Sequence, residues 1–123
     1  MEVLLDTQPF INAFLGATAS KRVQTLLADP ETVRLLSAAS IIEIAIKSAK
    51  LNMPEHLVRQ AVADLHITVI PFTAEHAYKL FSLTPHHRDP FDRMIIATAL
   101  VKAVPVIGGD EMFKKYRGLK VIW

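Results

Sequence analysis

Apolar residues along the chain follow two rhythms. Short, dense runs occur at Glu2 to Leu5 (EVLL), Thr32 to Leu36 (TVRLL), His66 to Ile70 (HITVI), Pro105 to Ile107 (PVI) and Leu119 to Trp123 (LKVIW). These read as strands, and the first is apolar enough to be buried on both faces. Between them, apolar positions recur at helical spacing. Asp6-Thr7-Gln8-Pro9 has a capping residue and an early proline, so a helix is expected from there to about Leu15, stopped by Gly16. Thr18 or Ser20 opens a second helix that Asp29-Pro30 closes. A strongly apolar helix is expected from Ile41 to about Leu51, and another from Glu55 to Leu65 with Leu57, Val58, Ala61, Val62 and Leu65 as its buried stripe. Two more follow, Ala74 to Leu83 and Pro90 to about Ala103, separated by the polar loop Thr84 to Asp89. Asp110 starts a last short helix that ends near Tyr116.

Strands alternating with helices predict a parallel sheet covered on both faces. Helices come in pairs after the first two strands, which points to a Rossmann-like sandwich over a plain repeating unit. No repeat, linker or low-complexity segment divides residues 1–123, so one domain is expected.

Composition narrows the chemistry. There is no cysteine, which removes disulfides, zinc–thiolate sites and a thiol nucleophile. The N-terminal run lacks basic residues and is broken at Asp6, so it makes a poor signal peptide. The longest apolar stretch, Met94 to Gly109, is interrupted by Lys102 and Pro105 and is too short to span a bilayer. A cytoplasmic protein with no membrane partner is expected. The net charge is +2, from 14 basic and 12 acidic residues. Gathering four acids into one pocket would leave a modestly basic surface, which suits a polyanion, although on charge alone a solvated lysine-rich face is favoured.

Four acids stand out by position. Asp6 ends the first strand, Glu43 begins the helix after the second, Asp92 begins the helix before PVI, and Asp110 follows PVI. Ligands in open α/β sheets bind beyond the carboxyl ends of the strands, where Asp6, Glu43 and Asp110 are expected and Asp92 can reach. Each acid singly also reads as a cap. Ser40-Ile41-Ile42-Glu43 has the form of a capping box, Asp89-Pro90-Phe91-Asp92 repeats it with a shorter acid, and Asp6 and Asp110 each precede a helix. Glu43 within IIEIAI and Asp92 among Phe91, Met94, Ile95 and Ile96 would be costly to bury without a cation. Carboxylates without Cys or His suit Mg²⁺ or Mn²⁺.

LLDT at 4 to 7, SAASIIEIAIK at 37 to 47, LTPHHRDPFDRMIIATAL at 83 to 100, GGDEMFKKY at 108 to 116 and the terminal VIW together resemble PIN-domain ribonucleases, specifically the VapC-type toxins of VapBC toxin–antitoxin pairs. The resemblance implies a three-layer α/β/α sandwich around a parallel sheet. It implies a Mg²⁺- or Mn²⁺-dependent endoribonuclease whose catalytic acids are Asp6, Glu43, Asp92 and Asp110, with Asp6, Asp92 and Asp110 on the metal and Asp89 in support. It also implies an RNA substrate cut by metal-activated water to a 5′-phosphate and a 3′-hydroxyl, a cognate antitoxin, and a homodimer. One position departs from the pattern: relatives usually carry Thr or Ser two residues before the last aspartate, where this chain has Gly108.

The other polar residues have weaker claims. Thr7 follows Asp6 and supports the site or caps the helix. Arg88 and Arg93 bind RNA phosphate or pair with Asp89 and nearby carboxylates, the pairing being favoured. His86-His87 lacks the helical spacing of paired metal ligands and reads as a structural or RNA-contacting loop. Lys47 and Lys50 line a nucleic-acid groove or a solvated face. Lys114, Lys115 and Arg117, with Tyr116 among them, could bind phosphate and stack a base. Two other classes compete. A PIN fold kept only for binding RNA or a partner would be expected to lose the acids, and a receiver-like or dehalogenase-like phosphotransfer domain lacks its further acids and lysine here.

Overall fold

The computed structural model describes residues 1–123. Five strands form one parallel sheet: β1 (Glu2–Leu5), β2 (Val33–Ser37), β3 (Ile67–Ile70), β4 (Val106–Ile107) and β5 (Val121–Ile122), in the spatial order β3-β2-β1-β4-β5. Leu4 is in register with Leu35 on one side and Val106 on the other. The chain builds outward from β1 to β3, then returns to the opposite side of β1 with β4. That reversal makes a crevice beyond the carboxyl ends of β1 and β4.

Strand residues alternate between two cores. Val3, Leu5, Leu36, Ile107 and Ile122 face one layer, against α1 (Thr7–Leu15), α2 (Lys21–Ala28) and α5 (Glu55–Asp64). Leu4, Leu35 and Val106 face the other, against Ile95, Ile96 and Ala99 of α7 (Pro90–Lys102). α6 (Ala74–Lys79), continued by a 3₁₀ turn at Leu80–Ser82, packs beside α7. α3 (Ala38–Ile46) lies at the boundary, giving Ala39 to one core and Ile44 to the other. The result is the expected three-layer α/β/α sandwich. No helix is long and apolar enough to cross a membrane.

The helix expected over 41–51 differs. α3 starts three residues earlier, capped by Ser37, whose hydroxyl accepts from the Ala39 N–H at 3.1 Å. Ser40 therefore lies inside the helix, buried, and its Oγ accepts from the Thr7 hydroxyl at 2.9 Å. The capping box drawn from Ser40 to Glu43 does not form, and Glu43 sits in the second turn. The helix then breaks at Lys47, and α4 (Ser48–Leu51) follows as a separate turn. At Gly16 the backbone turns left-handed, φ 73°, which ends α1 as its glycine requires.

Candidate metal centre

Asp6, Glu43, Asp92 and Asp110 line one cleft of about 460 Å³, together with Lys47, Lys50 and Trp123 among others. Two roomier clefts, of about 570 and 760 Å³, are lined mostly by apolar side chains and gather no cluster of acids. Asp6 comes directly after β1 and caps α1, its Oδ1 accepting from the Thr7 N–H at 2.9 Å. Asp92 is on the first turn of α7, which Asp89 caps by accepting from the Phe91 and Asp92 amides. Asp110 follows β4 and accepts from the Met112 N–H at 2.8 Å. Three of the acids, Asp6, Asp92 and Asp110, thus lie where helix or 3₁₀ N-termini offset part of their charge. Capping and site membership, alternatives in the sequence, coincide at Asp6 and Asp110.

The offset is incomplete. Burial, the Asp92 charge and, to a lesser degree, Glu43 and Asp110 push the Asp6 carboxyl up to about 7, against the pull of the Thr7 amide. Burial and then Asp89 push Asp92 up to about 6, against the pull of His87. Glu43 is buried; one oxygen meets Lys47 Nζ at 2.7 Å and the other, Oε1, is buried with no partner. An orphaned carboxylate oxygen beside two carboxyls held partly protonated is a site short of positive charge. An all-oxygen carboxylate set with that deficit fits a hard divalent cation such as Mg²⁺ or Mn²⁺.

Four of the flanking residues, His87, Arg93, Arg88 and Tyr116, stand elsewhere than the sequence suggests. His87 is the main correction. Its Nε2 lies 2.7 Å from Asp110 Oδ2 and 3.0 Å from Asp92 Oδ2, inside the acid cluster. Ligating atoms of these three side chains fall within 4.8 Å of one another. The other ring nitrogen, Nδ1, accepts the Asp89 backbone N–H at 3.1 Å. A backbone amide can only donate, so Nδ1 carries no hydrogen and the ring's N–H is at Nε2, pointed at the two carboxylates. That makes His87 a donor to the acids in this arrangement, with no lone pair for a metal at Nε2. Partial burial pushes the Asp110 carboxyl up, but the Met112 amide and the His87 ring outweigh it and hold it below the usual range.

Arg93 makes no carboxylate pair. Its guanidinium donates to the carbonyls of Leu83, Thr84 and His87 at 3.2 to 3.5 Å, tying down the loop that carries His87. Carbonyls leave no trace in side-chain patterns, so no sequence signal could have found this. Arg88 is exposed and joins no ion pair. Tyr116 is buried, and its hydroxyl accepts from the His87 amide at 2.8 Å, so it is not free to stack a base.

Lys47 is drawn into the site. Besides Glu43, its Nζ lies 3.6 Å from Asp89 Oδ2 and 5.5 Å from the Phe91 ring centre. The Glu43 hydrogen bond raises its pKa. Lys50 lines the cleft, whereas Lys114 and Lys115 lie exposed on the 3₁₀ turn after Asp110, Lys114 pairing with Glu111 at 3.3 Å. Gly108 is buried, and a Cβ there would meet Phe113 Cε2 at 2.8 Å. The ring of Phe113 fills the place a Thr or Ser side chain would need.

A parallel α/β/α sandwich with its acids at the sheet's switch point defines the class as a Rossmann-like domain with an acidic centre. Residues 3–119 match the family model of the PIN domain, and the chain belongs to that family. Among solved structures it is similar to a chain of VapBC2 from Rickettsia felis bound to a promoter DNA fragment, with a TM-score of 0.72 at 16% identity, over 99% of this chain and 98% of that one. It is also similar to DNA-bound VapBC from Salmonella typhimurium, with a TM-score of 0.74 at 14% identity, over 99% and 97%. A toxin–antitoxin complex from Klebsiella pneumoniae gives a TM-score of 0.67 at 21% identity, over 98% and 96%. No curated protein matches the sequence.

Proposed function

We propose that this protein is a divalent-metal-dependent endoribonuclease that acts as the toxin of a type II toxin–antitoxin pair. The observation that carries the proposal is the convergence of Asp6, Glu43, Asp92 and Asp110, from four separate segments, on one cleft with a charge deficit. Asp6, Asp92 and Asp110 would hold Mg²⁺ or Mn²⁺, with Glu43 completing the set through Oε1. When bound, the ion neutralises charge on a phosphodiester and acidifies an attacking water. The chain's own residues do the rest. Lys47 holds Glu43 by one oxygen and leaves Oε1 without a partner. Asp89 supports Asp92 by capping α7, accepting from the Asp92 amide, and it pairs with Lys47 on its other side. Thr7 ties the starts of α1 and α3 together through Ser40 and so fixes the spacing between Asp6 and Glu43. His87 aims its N–H at Asp92 and Asp110.

The toxin role is supported by the similar structures, which are VapBC and toxin–antitoxin complexes. An antitoxin and a second copy of the chain are the proposed protein partners. Exposed apolar side chains at Ile42 and Ile46 on α3, and at Tyr78 and Phe81 around α6, give such partners surface to cover. Gly108 is the one feature favouring a PIN fold kept only for binding.

The test is cleavage of single-stranded RNA with added Mg²⁺ by the wild type, Asp6→Asn and Asp92→Asn. Each substitution is expected to lower the rate by at least roughly 100-fold, as loss of a metal-holding group does. Equal rates in all three would remove the acids from the chemistry.

A further inference from the structure

The acid cleft accounts for a phosphate and leaves unassigned the bases on either side of it. Trp123 stands where one would lie. β5 pairs with β4 through Ile107 and Ile122, and the Gly108 N–H donates to the Ile122 carbonyl at 3.2 Å. The next residue, Trp123, therefore emerges at the same sheet edge as the acids, and it lines the cleft with them. It is the one aromatic among the lining residues.

One side of the indole is backed by the protein. A Cβ on Gly109 would meet its Cε2, Cζ2 and Cδ2 at 2.7, 2.9 and 3.2 Å, so the ring lies over the bare glycine. Even so, Trp123 is 48% exposed, while Ile122 beside it is buried at 3%. A flat, half-exposed ring backed by Gly109 and lining the acid cleft has the form of a stacking platform. Lys50, exposed and lining the same cleft, supplies a cation for the adjoining backbone phosphate.

We propose that Trp123 forms a nucleobase subsite of the cleft, stacking a base of single-stranded RNA next to the phosphate held by the acids; this rests on the nuclease reading for the identity of the polymer. Every base offers a π face, so the subsite sets where the strand lies with little demand on sequence.

Trp123 is the only tryptophan, so its fluorescence reports the site directly. The experiment titrates the full chain with a short single-stranded oligoribonucleotide and follows indole emission, then compares steady-state cleavage by the wild type, Trp123→Ala and Trp123→Phe. The expected result is quenching on RNA binding, a KM raised roughly 10- to 100-fold in Trp123→Ala with kcat little changed, and most of the affinity kept in Trp123→Phe. An oligonucleotide with an abasic residue beside the scissile phosphate should erase the difference between wild type and Trp123→Ala, which a merely structural defect would not do. RNA that leaves the indole emission unchanged overturns the subsite, whether or not the RNA is cut. A Trp123→Ala defect that persists undiminished on abasic substrates at every position also overturns it. Quenching without cleavage leaves the subsite standing and removes the nuclease reading.

Discussion

Replacing Asp6 by Asn should make the metal-free protein more stable. The carboxyl moves from 3.8 to about 7 on folding, first through burial and then through the neighbouring acids. That is about 3 pKa units, or about 4 kcal/mol set against the ionised form. Asn keeps an oxygen for the Thr7 amide, while its NH₂ forfeits about 1 to 2 kcal/mol of unmet hydrogen bonding. The net gain above pH 7 is about 2 to 3 kcal/mol. For a chain of 123 residues that raises Tm by about 8 to 12 °C.

The pH dependence has a definite sign. Unfolded, Asp6 loses its proton near 3.8; folded, it keeps it to about 7. Between those values the folded state binds more protons, so this group's contribution to stability falls as pH rises and bottoms out above the folded value. Asp92, raised to about 6, adds to the same slope. Thermal unfolding followed by circular dichroism in EDTA, from about pH 4 to 8, should show wild-type stability falling toward neutrality and a shallower fall in Asp6→Asn. Saturating Mg²⁺ should then raise the wild type by about 3 kcal/mol at a hundredfold excess over Kd, and the variant by far less. If Asp6→Asn is no more stable than the wild type in EDTA above pH 7, Asp6 does not carry the electrostatic strain assigned to it.

Three further outcomes follow from the geometry. His87→Ala should weaken Mg²⁺ binding roughly 10- to 100-fold in a calorimetric titration, as loss of an outer hydrogen bond to a ligand does, and His87→Gln, which keeps an N–H donor, should recover part of it; equal losses in both would mean that donation is not what His87 provides. Gly108→Ser should destabilise by about 1 to 3 kcal/mol in denaturant unfolding, because its Cβ would stand 2.8 Å from the Phe113 ring, and adding Phe113→Leu should return part of that. Arg93→Ala should speed amide exchange across Thr84 to Asp89 and cost about 1 to 3 kcal/mol, with no rescue by Arg93→Lys, whose single ammonium lacks the planar fork that reaches three carbonyls.

Much of this was legible in the chain. The strands were, because a parallel sheet buried on both faces demands unbroken apolar runs such as EVLL. The meeting of the four acids was also legible, because strand ends and helix starts in an alternating fold share one edge. What depended on tertiary contact was not. Ser37 and Ser40 both fit a helix cap, and the choice fell to Ser37 because Ser40 is the partner of Thr7, 33 residues away. The Glu43–Lys47 pair has the i, i+4 spacing of an ordinary exposed helix pair, and only the burial of Glu43 turns it into part of a site.

His87 is no metal ligand by spacing or by tautomer, yet it reaches the acids, which ligand spacing does not address. Helical spacing brings two side chains to one face only when both ride on a helix. His87 rides on a loop whose path is set by Arg93 beneath it, by Tyr116 on its amide and by Asp89 on its ring. The same contacts show how Asp110 is held without a hydroxyl at position 108. A glycine there supplies no hydroxyl to steer Asp110, and Phe113 occupies the space one would need. Asp110 is instead held on one oxygen by the Met112 amide and on the other by the His87 ring. Orientation of the fourth acid has passed from a neighbour two residues away to a loop 23 residues away, so it depends on that loop staying ordered. Loosening the loop at Arg93 should therefore weaken the site through Asp110 even though Arg93 touches none of the four acids.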